Sequence, residues 1–172
     1  YIDCSASMGM DIPQKGQYAV ALGAGLGFLA VHSMDKVAFK PVHEKLADDS
    51  GGTIVGKSAF FREIRRLENL KFHGDCYLSE AVIGSAKNGS RDGLTVMISD
   101  FLTDNDWKRA VDFLRYKGRQ VLLVQVLARE EVSPGYTGRV NLIDSETLDI
   151  EDSRNMKMKI DSRHYQAYDE AL

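Results

Sequence analysis

The chain has 172 residues, 44% of them hydrophobic, and balances Lys+Arg 22 against Asp+Glu 25 for a formal net charge of -3. That length and apolar content supply the core of one domain, residues 1–172, and the slightly acidic balance argues against a nucleic-acid partner, which calls for a basic surface. Two cysteines, Cys4 and Cys76, are too few for a disulfide framework and have no zinc spacing, so a reduced, cytoplasmic setting fits this segment.

In chain order, the apolar Ile2 leads into Asp3-Cys4-Ser5-Ala6-Ser7-Met8-Gly9. A strand that begins at Tyr1 and reaches Asp3 is too short for a buried central strand. The chain therefore reads as an excerpt of a longer protein that starts mid-strand, with any targeting signal or anchor upstream of it. Residues 15–33 read as a helix that is apolar on nearly every side. Its continuous apolar part is too short to cross a bilayer and suits a buried helix against a sheet, where Gly23, Gly25 and Gly27 permit close approach. Residues 36–40 read as a short strand, and 41–56 as polar and irregular apart from an edge strand at 53–55. Residues 57–69 have amphipathic helical spacing, with Phe60, Phe61, Ile64 and Leu67 on one side and Arg62, Arg65 and Arg66 on the other.

Residues 72–77 read as a loop, 79–86 as a helix, and Asn88-Gly89 as a turn. The apolar run 94–99 ends at Asp100 and suits a central strand. Residues 106–116 read as a helix that Asp104 or Asn105 can cap, and 120–127 as an apolar strand after the stop signal Gly118. Strands alternating with helices predict an α/β fold with a Rossmann-like open, mainly parallel sheet and helices on both faces. Beyond Ala128, residues 139–150 suggest a short hairpin with Asp144-Ser145-Glu146 near its turn, and 162–172 a terminal helix.

Asp3, Ser5 and Ser7 supply one carboxylate and two hydroxyls, the hard oxygen donors that Mg²⁺ takes. On an extended loop, alternate side chains point the same way and converge. Asp3 and Asp100 both stand at strand ends, and ligands of open α/β sheets sit beyond the carboxyl ends of the strands. The loop His73-Gly74-Asp75-Cys76 precedes a helix and is expected on the same edge, which adds Asp75 as a candidate. An octahedral ion held this way keeps a position for a carboxylate offered by another protein. No nucleophile–base pair accompanies these residues, so binding rather than enzymatic catalysis is expected. The bland alternative is a strand end followed by hydroxyls that cap a helix.

Asp3-x-Ser5-x-Ser7, the aspartate of Ile98-Ser99-Asp100, and the helix–strand order between them resemble a von Willebrand factor A domain. The tail, from Val124 through Gly138-Arg139-Val140-Asn141-Leu142-Ile143-Asp144-Ser145-Glu146-Thr147 to Tyr165-Gln166-Ala167-Tyr168-Asp169-Glu170-Ala171-Leu172, resembles the end of the bacterial DUF58 proteins. The resemblance implies a metal-ion-dependent adhesion site for Mg²⁺, or Mn²⁺ or Ca²⁺, built from Asp3, Ser5, Ser7 and Asp100. The family usually has a threonine ligand in its second loop; the counterpart here is Cys76, or Asp75 if the loop shifts by one. A thiol is a poor Mg²⁺ ligand. The resemblance also implies association with MoxR-type AAA+ ATPases in assembling or maturing complexes, and an upstream membrane-anchored or β-rich portion.

Two rivals stand beside this reading. One is a degenerate A domain that binds partners without metal. The other is a nucleotide-binding ATPase, because Gly51-Gly52-Thr53-Ile54-Val55-Gly56-Lys57-Ser58 fits a phosphate-loop pattern. Such a loop needs a buried strand running into its first glycine, and Leu46-Ala47-Asp48-Asp49-Ser50 does not provide one. Asn88-Gly89-Ser90 matches a glycosylation acceptor that a tight turn also explains. His32, His43, His73 and His164 are scattered without zinc spacing.

Overall fold

A computed structural model describes residues 1–9, 15–86, 92–103, 106–132, 138–142 and 156–160. The elements are β1 (Ile2–Asp3), α1 (Ala6–Gly9), α2 (Lys15–His32), β2 (Pro41–His43), β3 (Leu46–Ala47), α3 (Lys57–Leu67), α4 (Leu78–Ala86), β4 (Leu94–Ser99), α5 (Lys108–Tyr116), β5 (Gln120–Gln125), α6 (Arg129–Val132), β6 (Gly138–Leu142) and β7 (Met156–Ile160). They group into two compact units, Tyr1–Val126 and Leu127–Leu172.

The first unit carries a five-stranded sheet in the order β3-β2-β1-β4-β5. All pairs are parallel except β2 with β3. The apolar residues of successive strand positions feed opposite faces, as a pleated strand requires. On β4, Ile98 joins Ile2, Ala19, Phe60 and Leu67 in one cluster, which α2 and α3 cover. Its neighbour Met97 joins Val42, Leu78, Val82 and Leu114 in the other, which α4 and α5 cover. The result is the expected α/β fold, a mostly parallel sheet between two helical layers.

Several elements differ from expectation for physical reasons. The strand expected at 36–40 lies further on, at Pro41–His43, and Val37 makes only an isolated bridge to Ile54. Proline fits there because its missing N–H faces the short β3, where its carbonyl accepts from Asp48 N at 2.7 Å. The bonds toward β1 are kept, with Ile2 N donating to Lys40 O and Cys4 N to Val42 O, both at 3.1 Å. β1 is the middle strand of the five despite its two residues. On α3, Phe61 is exposed and Glu63 is buried, because Glu63 accepts from Arg66, which also pairs with Asp48. α5 ends as expected at Gly118, whose φ of 84° closes the helix.

In the second unit, β6 pairs antiparallel with β7, Gly138 opposite Ile160 and Leu142 opposite Met156. The described partner of β6 is Met156–Ile160, and residues 143–150 of the expected hairpin lie outside the described residues. The expected turns at Asn88-Gly89 and Asp144-Ser145-Glu146, the caps Asp104 and Asn105, and the helix at 162–172 lie outside the described residues. Among the described residues, no helix is long and apolar enough to cross a membrane.

Candidate metal centre

β1 and β4 are adjacent and parallel, with Ile2 opposite Ile98, so Asp3 and Asp100 emerge on the same edge of the sheet. From β1 the chain proceeds to β2 on one side, and from β4 to β5 on the other. The two aspartates therefore flank the point where the strand order reverses, the position at which open α/β sheets form a crevice.

The segment after Asp3 is a turn of helix, Ala6–Gly9, and not the extended loop expected. Asp3 Oδ1 accepts from Ser5 N at 2.9 Å, a local aspartate turn that competes with continued strand, and Met8 N then donates to Ser5 O at 3.2 Å. The second loop fastens this turn from outside: Ala6 N donates to Gly74 O at 2.8 Å and His73 N to Cys4 O at 2.9 Å.

Side chains close the arrangement. Ser5 Oγ and Ser7 Oγ are 3.0 Å apart, and Ser7 Oγ donates to Asp100 Oδ2 at 3.0 Å. Ser99 Oγ donates to Asp3 Oδ2 at 2.6 Å, and Leu102 N to Asp100 Oδ1 at 3.1 Å. Lys15 Nζ lies 2.8 Å from Asp100 Oδ2, with both side chains 4% exposed. Asp3, Ser5, Ser99 and Asp100 are buried, and Ser7 is half-buried.

The backbone just beyond Asp100 is strained. Phe101 has φ 56°, in the left-handed region that a bulky residue occupies at a cost of about 1–3 kcal/mol. Its ring packs on Trp107 at 5.1 Å, and its N–H donates to Ser99 Oγ at 3.0 Å. Gln125 Nε2, from the end of β5, donates to Asp100 O at 3.0 Å and braces the same turn. Leu102 is exposed on this rim.

Of the sequence candidates, Asp3, Ser5, Ser7 and Asp100 are thus joined by short polar contacts. Asp75 is half-buried, and its Oδ2 accepts from Tyr77 OH at 3.2 Å. Cys76 packs in the cluster with Val42 and Leu78 and bridges Glu44 through the backbone. The hydrogen bonds that link the other four among the described residues run through neither of them. Cys4 is wholly buried, and burial first, then the charge of Asp3, pushes its thiol up to about 12. His43 stacks on His73 at 5.2 Å, and its buried Nδ1 has no hydrogen-bond partner among the described residues.

Two participants were not singled out from the sequence. Ser99 gives no signal beyond standing next to Asp100. Lys15 gives one: it is the sole formal charge on α2 and stands at its first residue, where the positive end of the helix dipole disfavours a cation.

The donor set suits a hard cation. Two carboxylates and two hydroxyls are oxygen donors of the type Mg²⁺ takes. The Ser5–Ser7 and Ser7–Asp100 hydrogen bonds, both 3.0 Å, hold three of these oxygens side by side. Among the described residues, no group of three or more His, Cys, Asp or Glu side chains gathers that could hold a metal ion, so the set here depends on two hydroxyls beside its two carboxylates.

The phosphate-loop pattern has a different setting. β3, the strand before it, is a two-residue antiparallel edge strand, and Ile54 bridges Val37. The Glu63 carboxylate packs against Gly51, which puts negative charge where a phosphate would need donors. Lys57 and Ser58 open α3 and are exposed.

No curated protein and no solved structure matches this chain. The family model described as "Protein of unknown function DUF58" matches residues 1–171, and the chain belongs to the DUF58 family.

Proposed function

We propose that this DUF58 chain carries a von Willebrand factor A-like module that binds protein partners through a divalent cation held by Asp3, Ser5, Ser7 and Asp100. The supporting observation is the set of three oxygens, Ser5 Oγ, Ser7 Oγ and Asp100 Oδ2, linked at 3.0 Å steps beside the strand-order reversal. The bound ion, Mg²⁺ or else Mn²⁺ or Ca²⁺, supplies a Lewis-acidic position for one carboxylate oxygen of a partner. The chain's own residues orient the donors. Ser99 and the Ser5 N–H hold the Asp3 carboxylate from both sides, and Leu102 N fixes Asp100. The partner class is a protein that presents an acidic residue, and the resemblance to DUF58 proteins associated with MoxR-type AAA+ ATPases makes such an ATPase the first candidate.

Calorimetric titration of Mg²⁺ or Mn²⁺ into the purified chain is the test. Saturable binding that Asp3→Ala abolishes is expected, and no binding at millimolar metal would sink the reading. Partner capture that survives a chelator would instead favour the metal-free A domain.

A further inference from the structure

We propose that Lys15 is a tethered cation that occupies the metal-free site and must leave Asp100 before a divalent ion can bind. The inference rests on the reading of Asp3, Ser5, Ser7 and Asp100 as a metal centre and adds a control element to it. The Lys15 ammonium contacts Asp100 Oδ2, the same oxygen to which Ser7 donates. That oxygen is the corner shared by the hydroxyl–carboxylate set. A divalent ion seated on it would lie beside the ammonium, and two cations at contact distance in a buried site repel strongly.

The placement of this lysine carries a cost. Both partners are 4% exposed, and a buried ion pair forfeits the hydration of two charges. Lys15 also stands at the helix end that disfavours positive charge. What the ammonium contributes is charge balance. Asp3 and Asp100 are two buried carboxylates, and Lys15 neutralises one of them when no metal is present. Metal entry then exchanges a one-charge for a two-charge counter-ion, and the released lysine leaves the site one charge more positive toward an incoming carboxylate.

Displacement predicts competition. If the lysine-closed state outweighs the open state by a given factor, apparent metal affinity falls by about that factor. Lys15→Met should therefore bind Mn²⁺ roughly tenfold or more tightly than wild type, whereas Lys57→Met, at an exposed site, should leave affinity unchanged. A second measurement uses the unaltered chain, in case Lys15→Met fails to fold. Saturating Mn²⁺ should raise the labelling rate of Lys15 by an amine-reactive reagent, read by peptide mass spectrometry, with Lys57 as the internal reference. Wild type that binds Mn²⁺ as tightly as Lys15→Met, or Lys15 labelling that metal leaves unchanged, would overturn this inference and leave the metal centre standing. If neither wild type nor Lys15→Met binds Mn²⁺, both proposals fail.

Discussion

The Ser99 hydroxyl donates to Asp3 Oδ2 at 2.6 Å and so ties the carboxyl end of β4 to that of β1. These two residues are far apart in the chain, yet the same hydroxyl also accepts from Phe101 N. One buried serine thus holds both the aspartate of the first loop and the strained turn after Asp100.

Ser99→Ala removes that tie without adding bulk. A hydrogen bond to a charged group is worth about 1.5–3 kcal/mol, so urea denaturation should show a loss of that size. The carboxylate also loses its orientation. Any metal affinity seen in wild type should fall in the variant, measured by the same titration, while the far-ultraviolet circular dichroism stays unchanged.

Gly25 and Gly27 are both on α2 but answer differently to a methyl group. A Cβ at Gly27 would meet the Phe39 ring, whereas one at Gly25 meets nothing. Gly27→Ala should therefore destabilise the fold by about 1–3 kcal/mol through overpacking. Gly25→Ala should stabilise it by up to about 1 kcal/mol through helix propensity. Thermal unfolding of the pair checks both signs, and equal midpoints would contradict the packing described for Phe39.

Burial, and next the charge of His73, hold the His43 pKa below its ordinary 6.5, with Asp48, Asp3 and Glu44 opposing. The unfolded chain therefore takes up the proton first as pH falls. The contribution to stability is fully present above 6.5 and is lost as pH drops below it toward the folded value. Urea midpoints at about pH 8 and about pH 5.5 should differ more in wild type than in His43→Gln. A variant with the same pH dependence would place the acid sensitivity elsewhere.

The apolar strand at Leu94–Ser99 and the helices over 57–67 and 78–86 follow closely from runs and periods in the chain. Each has enough residues for its pattern to speak by itself. β2 does not. Pro41–His43 is three residues long and begins with a residue that strands usually avoid. Only its neighbours, β1 on one side and a short antiparallel strand on the other, make proline acceptable there. The glycines of α2 likewise look alike in sequence and part company only when the Phe39 ring is in place.

The candidate site divides in the same way. Asp-x-Ser-x-Ser and the aspartate after an apolar strand are visible as donors of one chemical type, so their nature and their location at strand ends can be read locally. Whether they meet depends on β1 and β4 being neighbours, a pairing across more than ninety residues. The helical turn at Ala6–Gly9 depends on the Asp3–Ser5 contact and on the Gly74 carbonyl. Lys15 is the sharpest case. Its charge and its place on α2 are in the sequence, but its partner is Asp100, brought to it by the stacking of α2 on the sheet.

By itself, the amino-acid order determined which segments become strands or helices wherever a run is long enough, because hydrophobic period is a local property. It also determined that oxygen donors follow two of the strands. Tertiary structure alone decided which donors share an edge, that Cys76 faces the core while Ser99 and Lys15 face the aspartates, and that one buried carboxylate is balanced by an ammonium. Those outcomes rest on strand pairing and on charge compensation between chain-distant groups, and neither leaves a periodic trace in the residues involved.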